Sequence, residues 1–193
     1  AYFGFPFKTM EELYAESRRL PHPLPEPGDV KTLVKPVVGL GFSLTNALAI
    51  QPMEGCDSDA WGAPTDWTFR RYLRFARGGA GLIWMEAIAI SPEARANPNQ
   101  LMITESNVSA FADLISAMRA AAREEGLKQP VVIAQLTHSG RFSRPTDRKM
   151  PIRAWISPVL DPHQQLIGDW PIITDEQLNV LPELFARSAR LCR

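Results

Sequence analysis

Three short apolar runs limit what this chain can fold into: ALAIQPM at 47–53, AGLIWMEAIAI at 80–90 and PVVIAQL at 130–136. None shows the strict polar–apolar alternation of a strand with one wet face, and ALAIQPM is too short for a helix. Each therefore reads as a buried strand. Amphipathic segments alternate with them. PTDWTFRRYLRFARGG (64–79) sets Phe69, Leu73 and Ala76 at helical spacing ahead of two glycines. NVSAFADLISAMRAAAREEG (107–126) carries Val108, Phe111, Leu114, Ile115 and Met118 on one stripe. A last helix, DEQLNVLPELFARSARLCR (175–193), is capped by Thr174 with Gln177, and Pro182 is expected to kink it or delay its start.

Strands alternating with helices predict β/α units around a parallel sheet. Long loops after the strands favour a TIM (β/α)8 barrel over a flavodoxin-like sheet. The first strand is followed by no glycine-rich phosphate loop, which counts against a Rossmann fold. At 193 residues the chain is expected to hold only about the first three β/α units of such a barrel. Residues 1–32 read as an amino-terminal extension and 33–193 as the barrel part. In the extension, Thr9 and Glu12 form a capping box for a short helix that the prolines of PHPLPEPGD end. LVKPVVGLGFSLTN (33–46) reads as a hairpin turning at Gly39-Leu40-Gly41.

Acidic and basic residues balance at 21 each, so the chain has no electrostatic footprint for nucleic acid or an anionic membrane. Small molecules or other proteins are the expected partners. Cys56 and Cys192 make neither a disulfide framework nor a metal-ligand spacing, and no metal site is expected. With no signal-peptide pattern and no run of about 20 apolar residues, a cytoplasmic location is expected.

Ligands of parallel β/α proteins gather at the carboxyl ends of the strands. Those ends here are Gln51-Pro52-Met53-Glu54-Gly55-Cys56-Asp57, Met85-Glu86-Ala87 and Gln135-Leu136-Thr137-His138. Pro52 can be a simple strand terminator and Met53 simple core. Glu86 is expected to be paired within the protein rather than catalytic. Gln135 can donate and accept at once, which suits a planar heterocycle edge and suits a neighbouring backbone equally. His138 and Arg141 are expected to fix their loop, and Cys56 to be an inert thiol.

Taken in order, LTNALAIQPMEG, GAPTDWTFRRYLRFARGGAGLIWMEAIAIS and VVIAQLTHSGRFSRP resemble the Old Yellow Enzyme family of FMN-dependent oxidoreductases. The likeness runs from about Leu33 to the end of the chain. Its most specific parts are the Pro-Met pair, GGAGLI leading into MEA, and QLTHSGR. The resemblance implies that NAD(P)H reduces FMN, which passes hydride to an activated alkene. It implies that the backbone around Pro52, Met53 and Glu54 lies against the flavin ring. Ala87 would offer its backbone to the pyrimidine side, and Gln135 would bond the polar edge of the isoalloxazine. Many relatives have threonine or cysteine where this chain has Glu54, and an ionised carboxylate there would lower the flavin potential. Cys56 and Asp57 also stand where some relatives touch substrate, which leaves the substrate class open.

The family's catalytic residues follow the fourth strand, and its phosphate loops come later still; all are expected beyond Arg193. So would be the Cys-rich run that holds an iron–sulfur cluster in some relatives. The resemblance is thus to the amino-terminal half, for which a complementary carboxyl-terminal half or an oligomer is the expected partner. Two other readings stay open: a non-catalytic half-barrel acting only as an assembly partner, and an unrelated (β/α) barrel enzyme.

Overall fold

The computed structural model describes residues 6–25, 28–39, 41–166 and 168–193. Its centre is a parallel sheet of three strands: β3 (Ala49–Ile50), β4 (Leu82–Ala89) and β5 (Val131–Thr137), in that order. Before them, β1 (Val37–Gly39) and β2 (Phe42–Leu44) form an antiparallel hairpin. Leu40, at its expected tip, lies outside the described residues. Leu33 and Val34, expected in the first strand, belong instead to a 3-10 turn at Val30–Val34. The Asp29 side chain starts that turn by accepting from the Lys31 N–H.

Helix α1 (Met10–Ser17) begins at Thr9, whose hydroxyl accepts from the Glu12 N–H at 3.2 Å. Glu12 reaches back to the Lys8 N–H at 2.8 Å, one residue before the position a capping box uses. After β3 comes α2 (Asp66–Arg77), after β4 comes α3 (Val108–Glu124), and a short α4 (Leu160–His163) precedes α5 (Asp175–Leu191). Pro182 sits inside α5, yet the helix is not delayed. The reciprocal cap between Thr174 and Gln177 sets its start at Asp175. No helix among the described residues is long and apolar enough to cross a membrane.

The core lies between the sheet and α2 and α3. Ile83, Met85 and Ile88 of β4 pack with Tyr72 and Ala76 of α2 and with Phe111, Leu114 and Met118 of α3. The α3 stripe is the one the periodicity predicts. On α2 the fully buried line is Thr68, Tyr72 and Ala76, with Phe69 and Leu73 only partly covered.

Two of the three strands are less buried than their apolar composition predicts. β3 pairs over Ala49–Ile50 alone. Beyond Ile50 the Met53 N–H closes back on the Gln51 carbonyl at 2.9 Å around Pro52, which has no N–H to offer, and the chain leaves the sheet. β5 is half-buried along its whole length, because among the described residues it pairs only with β4.

The entry to β4 is fixed by Asn46. Its carbonyl accepts from the N–H groups of Gly81 (2.8 Å) and Leu48 (3.0 Å), and its amide donates to the Gly79 carbonyl (2.8 Å). A Cβ on Gly81 would lie 2.6 Å from the Asn46 backbone oxygen, so only glycine permits this approach. Gly81→Ala is expected to cost about 1–3 kcal/mol, seen as a lower urea midpoint with an unchanged denaturant slope. An unaltered midpoint would contradict this role for Asn46.

Candidate functional site at the carboxyl ends of the strands

A bulge in β4 decides which side chains face which way. Trp84 pairs with Ile133 and Ala87 with Gln135, so Met85 and Glu86 together oppose Ala134. Without the extra residue Glu86 would point away from the helices; with it, Met85 and Glu86 are both buried. Beyond the bulge Ile88 returns to the helix side. Val132, Ala134 and Leu136 of β5 also pack toward the helices. Their alternates Ile133 and Gln135 therefore share the opposite face with Trp84 and Ala87. Two of the expected cofactor residues, Ala87 and Gln135, thus stand directly across the ladder from each other on the face the helices leave open. The Gln135 side-chain amide makes no hydrogen bond to another described residue, so both its donor and its acceptor functions are free.

Beneath this face lies a charged network. Glu86, 1% exposed, accepts from the Gly55 N–H at 2.8 Å, from Arg71 Nη2 at 2.5 Å and from the Tyr72 hydroxyl at 3.2 Å. Arg71 also bonds both carboxylate oxygens of Asp57, at 3.1 and 2.9 Å, and Asp57 accepts from the Thr68 hydroxyl at 2.7 Å. Burial opposes the charge on Arg71, but the bonds to Asp57 and Glu86 outweigh it and hold the guanidinium protonated. Burial, reinforced by the Glu86 carboxylate, pushes the Tyr72 hydroxyl well above its usual range, so it stays a donor. Glu86 is therefore paired, as expected. A Cβ on Gly55 would run into the Arg71 guanidinium, which would have to shift from its bonds to Asp57 and Glu86.

The chain leaving β3 is exposed at Met53, 75% accessible, and reverses through Cys56 at φ 50°, in the left-handed region. Pro52 is half-buried. Glu54 turns toward the loop after β4, where its carboxylate accepts from Asn97 Nδ2 at 3.2 Å and Gln100 Nε2 at 3.1 Å. The same Gln100 nitrogen donates to the Ala87 carbonyl at 3.1 Å. Part of Ala87's backbone is thus already committed within the protein. Burial and then the nearby Glu86 charge push the Glu54 carboxyl above the usual range. Cys56 is exposed but not activated. Partial burial, then Glu54, Glu86 and Asp57, raise its thiol above the ordinary 9.0.

After β5, His138 Nδ1 accepts from the Gly140 N–H at 3.0 Å, which leaves the ring proton on Nε2 when the imidazole is neutral. Burial favours that neutral form by lowering the His138 pKa. Arg141 bonds Asp161 at 2.8 Å and the Trp155 carbonyl at 2.7 Å. Asp161, 4% exposed, is also held by Arg153 at 2.8 Å and by the Ser157 N–H at 3.1 Å. His138 and Arg141 therefore shape the long loop, as anticipated. Clefts border the strand ends on both sides, one of 520 Å³ beside Asp57, Trp67 and Arg71 and one of 370 Å³ beside His138, Arg141 and Trp155, and a third of 320 Å³ bordered by Phe111, Ile115 and Leu191 sits on the helix side of the sheet.

Gln100, Asn97, Arg71 and Tyr72 were not anticipated from sequence. Arg71 and Tyr72 carry a faint signal, being polar groups at helical spacing from Thr68; Gln100 and Asn97 sit in a loop with no period.

This arrangement defines an α/β protein whose strand ends carry an unpaired amide, an open strand face and a carboxylate-rich loop. No protein-family profile matches the chain. Over 103 residues it is 35% identical to the NADPH dehydrogenase of Bacillus pumilus (strain SAFR-032), covering 52% of this chain and 28% of that protein. Its fold is similar to the old yellow enzyme homologue from Zymomonas mobilis, with TM-score 0.64 and 20% identity, covering 83% of this chain and 44% of that one. It is similar also to Old Yellow Enzyme from Pichia sp. AKU4542, with TM-score 0.66 and 19% identity, over 83% and 42% of the two chains. In sequence the chain is thus similar to an NADPH dehydrogenase and in fold to Old Yellow Enzyme homologues, the resemblance its motifs imply. It spans less than half the length of each of these relatives.

The raised Cys56 thiol gives a direct check on the site's electrostatics. Alkylation of Cys56 by iodoacetamide, mapped by mass spectrometry, is expected to show a pH midpoint above 9.0. Glu54→Gln removes one of the carboxylates and should move that midpoint down. A midpoint below 9.0 in the unmutated protein would refute the described charge distribution.

Proposed function

We propose that this chain is the amino-terminal part of an FMN-dependent NAD(P)H oxidoreductase of the Old Yellow Enzyme type. On this reading residues 1–32 form an extension and 33–193 supply the first three β/α units of a flavin-binding barrel. Bound FMN supplies the hydride transfer from nicotinamide to an activated alkene. This chain's residues bind and orient. Gln135 offers its unpaired amide to the polar edge of the isoalloxazine, and Ala87 offers its backbone beside it. Pro52, Met53 and Glu54 contribute the backbone that lies along the ring.

The observation that carries the reading is the in-register pairing of Ala87 with Gln135 on the sheet face left open by the helices. A free amide with both donor and acceptor capacity fits the alternating donors and acceptors of a flavin's pyrimidine edge. Support also comes from the motif order and from the similarity to a NADPH dehydrogenase. The Glu54 backbone lies along the ring on this reading, while its carboxylate, held by Asn97 and Gln100, is a fixed negative charge nearby.

The groups that polarise the substrate, deliver a proton and hold the cofactor phosphate are proposed to lie beyond Arg193 or on a complementing chain. β3 and β5 each have one strand neighbour among the described residues, and Trp84 on the open face is 39% exposed. Unpaired edges and an uncovered apolar face are what further barrel strands would satisfy.

Gln135→Leu keeps the size of the side chain and removes its hydrogen bonds. In the full-length protein it is expected to weaken flavin binding about tenfold, the equivalent of ~1.4 kcal/mol, while Gln135→Glu retains only acceptors and shifts the flavin absorption bands. Flavin titration followed by fluorescence quenching measures both. Affinities within twofold of the unmutated protein for both variants would remove Gln135 from the flavin site.

A further inference from the structure

We infer that Gln100 is a positioning residue, a buried clamp that locks the chain leaving β3 to the end of β4 and so sets the spacing between the two segments proposed to face the flavin. The inference rests on the flavin reading above.

Gln100 is completely buried, and its side-chain polar groups are all in use. Nε2 donates to Glu54 Oε1 and to the Ala87 carbonyl, both at 3.1 Å. Oε1 accepts from the Ala96 N–H at 2.6 Å, which fixes the amide's orientation. One planar group therefore joins a residue 46 positions earlier to one 13 positions earlier, each on a different strand end. An apolar side chain of the same size would fill this space equally well. Burying an amide here is costly unless all its bonds are made, and in return it fixes both distances at once.

The clamp is itself anchored. The Gln100 carbonyl accepts from Arg95 Nε at 3.1 Å, from Arg95 Nη2 at 2.8 Å and from the Ser58 hydroxyl at 3.0 Å. Arg95, 4% exposed, also donates to the Ala60 carbonyl at 2.9 Å and the Pro98 carbonyl at 2.5 Å. The loop after β3 and the loop after β4 are thereby stapled into one body. A shift of Glu54 relative to Ala87 requires breaking at least one bond to Gln100.

The test compares Gln100→Met, which keeps volume and removes both donated bonds, with Gln100→Glu, which sets a carboxylate oxygen against Glu54 and the Ala87 carbonyl. In the full-length protein, flavin affinity is expected to fall about tenfold for Gln100→Met, equivalent to ~1.4 kcal/mol, and further for Gln100→Glu. The flavin midpoint potential should shift in both. Affinity within twofold and an unmoved potential in both variants would overturn the positioning role. As a check without mutation, the Gln100 side-chain NH2 protons are expected to exchange slowly in flavin-free protein and to change chemical shift when flavin is added. Slow exchange with no response to bound flavin would also overturn the positioning role. Unmutated protein that takes up no flavin overturns the flavin reading itself, whereas fast NH2 exchange overturns the clamp whatever the cofactor.

Discussion

The buried carboxylate of Glu86 is the constraint on which the site's architecture depends. A charge with 1% exposure is tolerable only if it is paired and hydrogen-bonded, and here α2 and the chain leaving β3 supply the partners. Arg71 and Tyr72 come from α2, and the Gly55 N–H comes from the turn after Met53. Removing one partner of such a pair leaves an uncompensated buried charge, typically at a cost of about 3–5 kcal/mol. The same arginine grips Asp57, so a single guanidinium joins strand end, turn and helix. Gly55, the reversal at Cys56 and the bulge at Met85-Glu86 all lie where these groups meet.

The bulge gives the two sheet faces different roles. It turns Glu86 under α2, and in doing so it aligns Ala87 with Gln135 on the other side. One face is thereby a packed core with Ile83, Met85 and Ile88, and the other is an open surface carrying Trp84, Ala87, Ile133 and Gln135. Structural charge lies beneath the site, and ligand-type polarity lies on it. The Glu54 carboxyl, raised by burial and by Glu86, stands between the two.

How far the sequence foretells this depends on the range of the interactions concerned. The three strands were legible because buried apolar runs are a local signal, and the α3 stripe because its period is local too. ALAIQPM misled as to extent: its composition is that of a strand, but the turn at Gln51-Pro52-Met53 ends pairing after Ile50. The burial of β5 was overstated because burial depends on neighbouring strands, and β5 has one among the described residues. On α2, the buried line through Thr68 and Tyr72 was hidden because their polar atoms are satisfied by Asp57 and Glu86, distant in sequence. Gln100 gave no signal at all in ANPNQ; only folding brings it to Glu54 and Ala87. The pairing of Glu86 and the loop-fixing roles of His138 and Arg141 were foreseen, since such groups rarely lack a partner.

The most direct test of the flavin reading is a visible absorption spectrum across the sizing-column peak of this chain co-expressed with a complementing carboxyl-terminal half. Flavin bands that co-elute with a stoichiometric complex, and disappear from the chain isolated alone, are the predicted result. A stoichiometric complex that is colourless and stays so after incubation with FMN would contradict it.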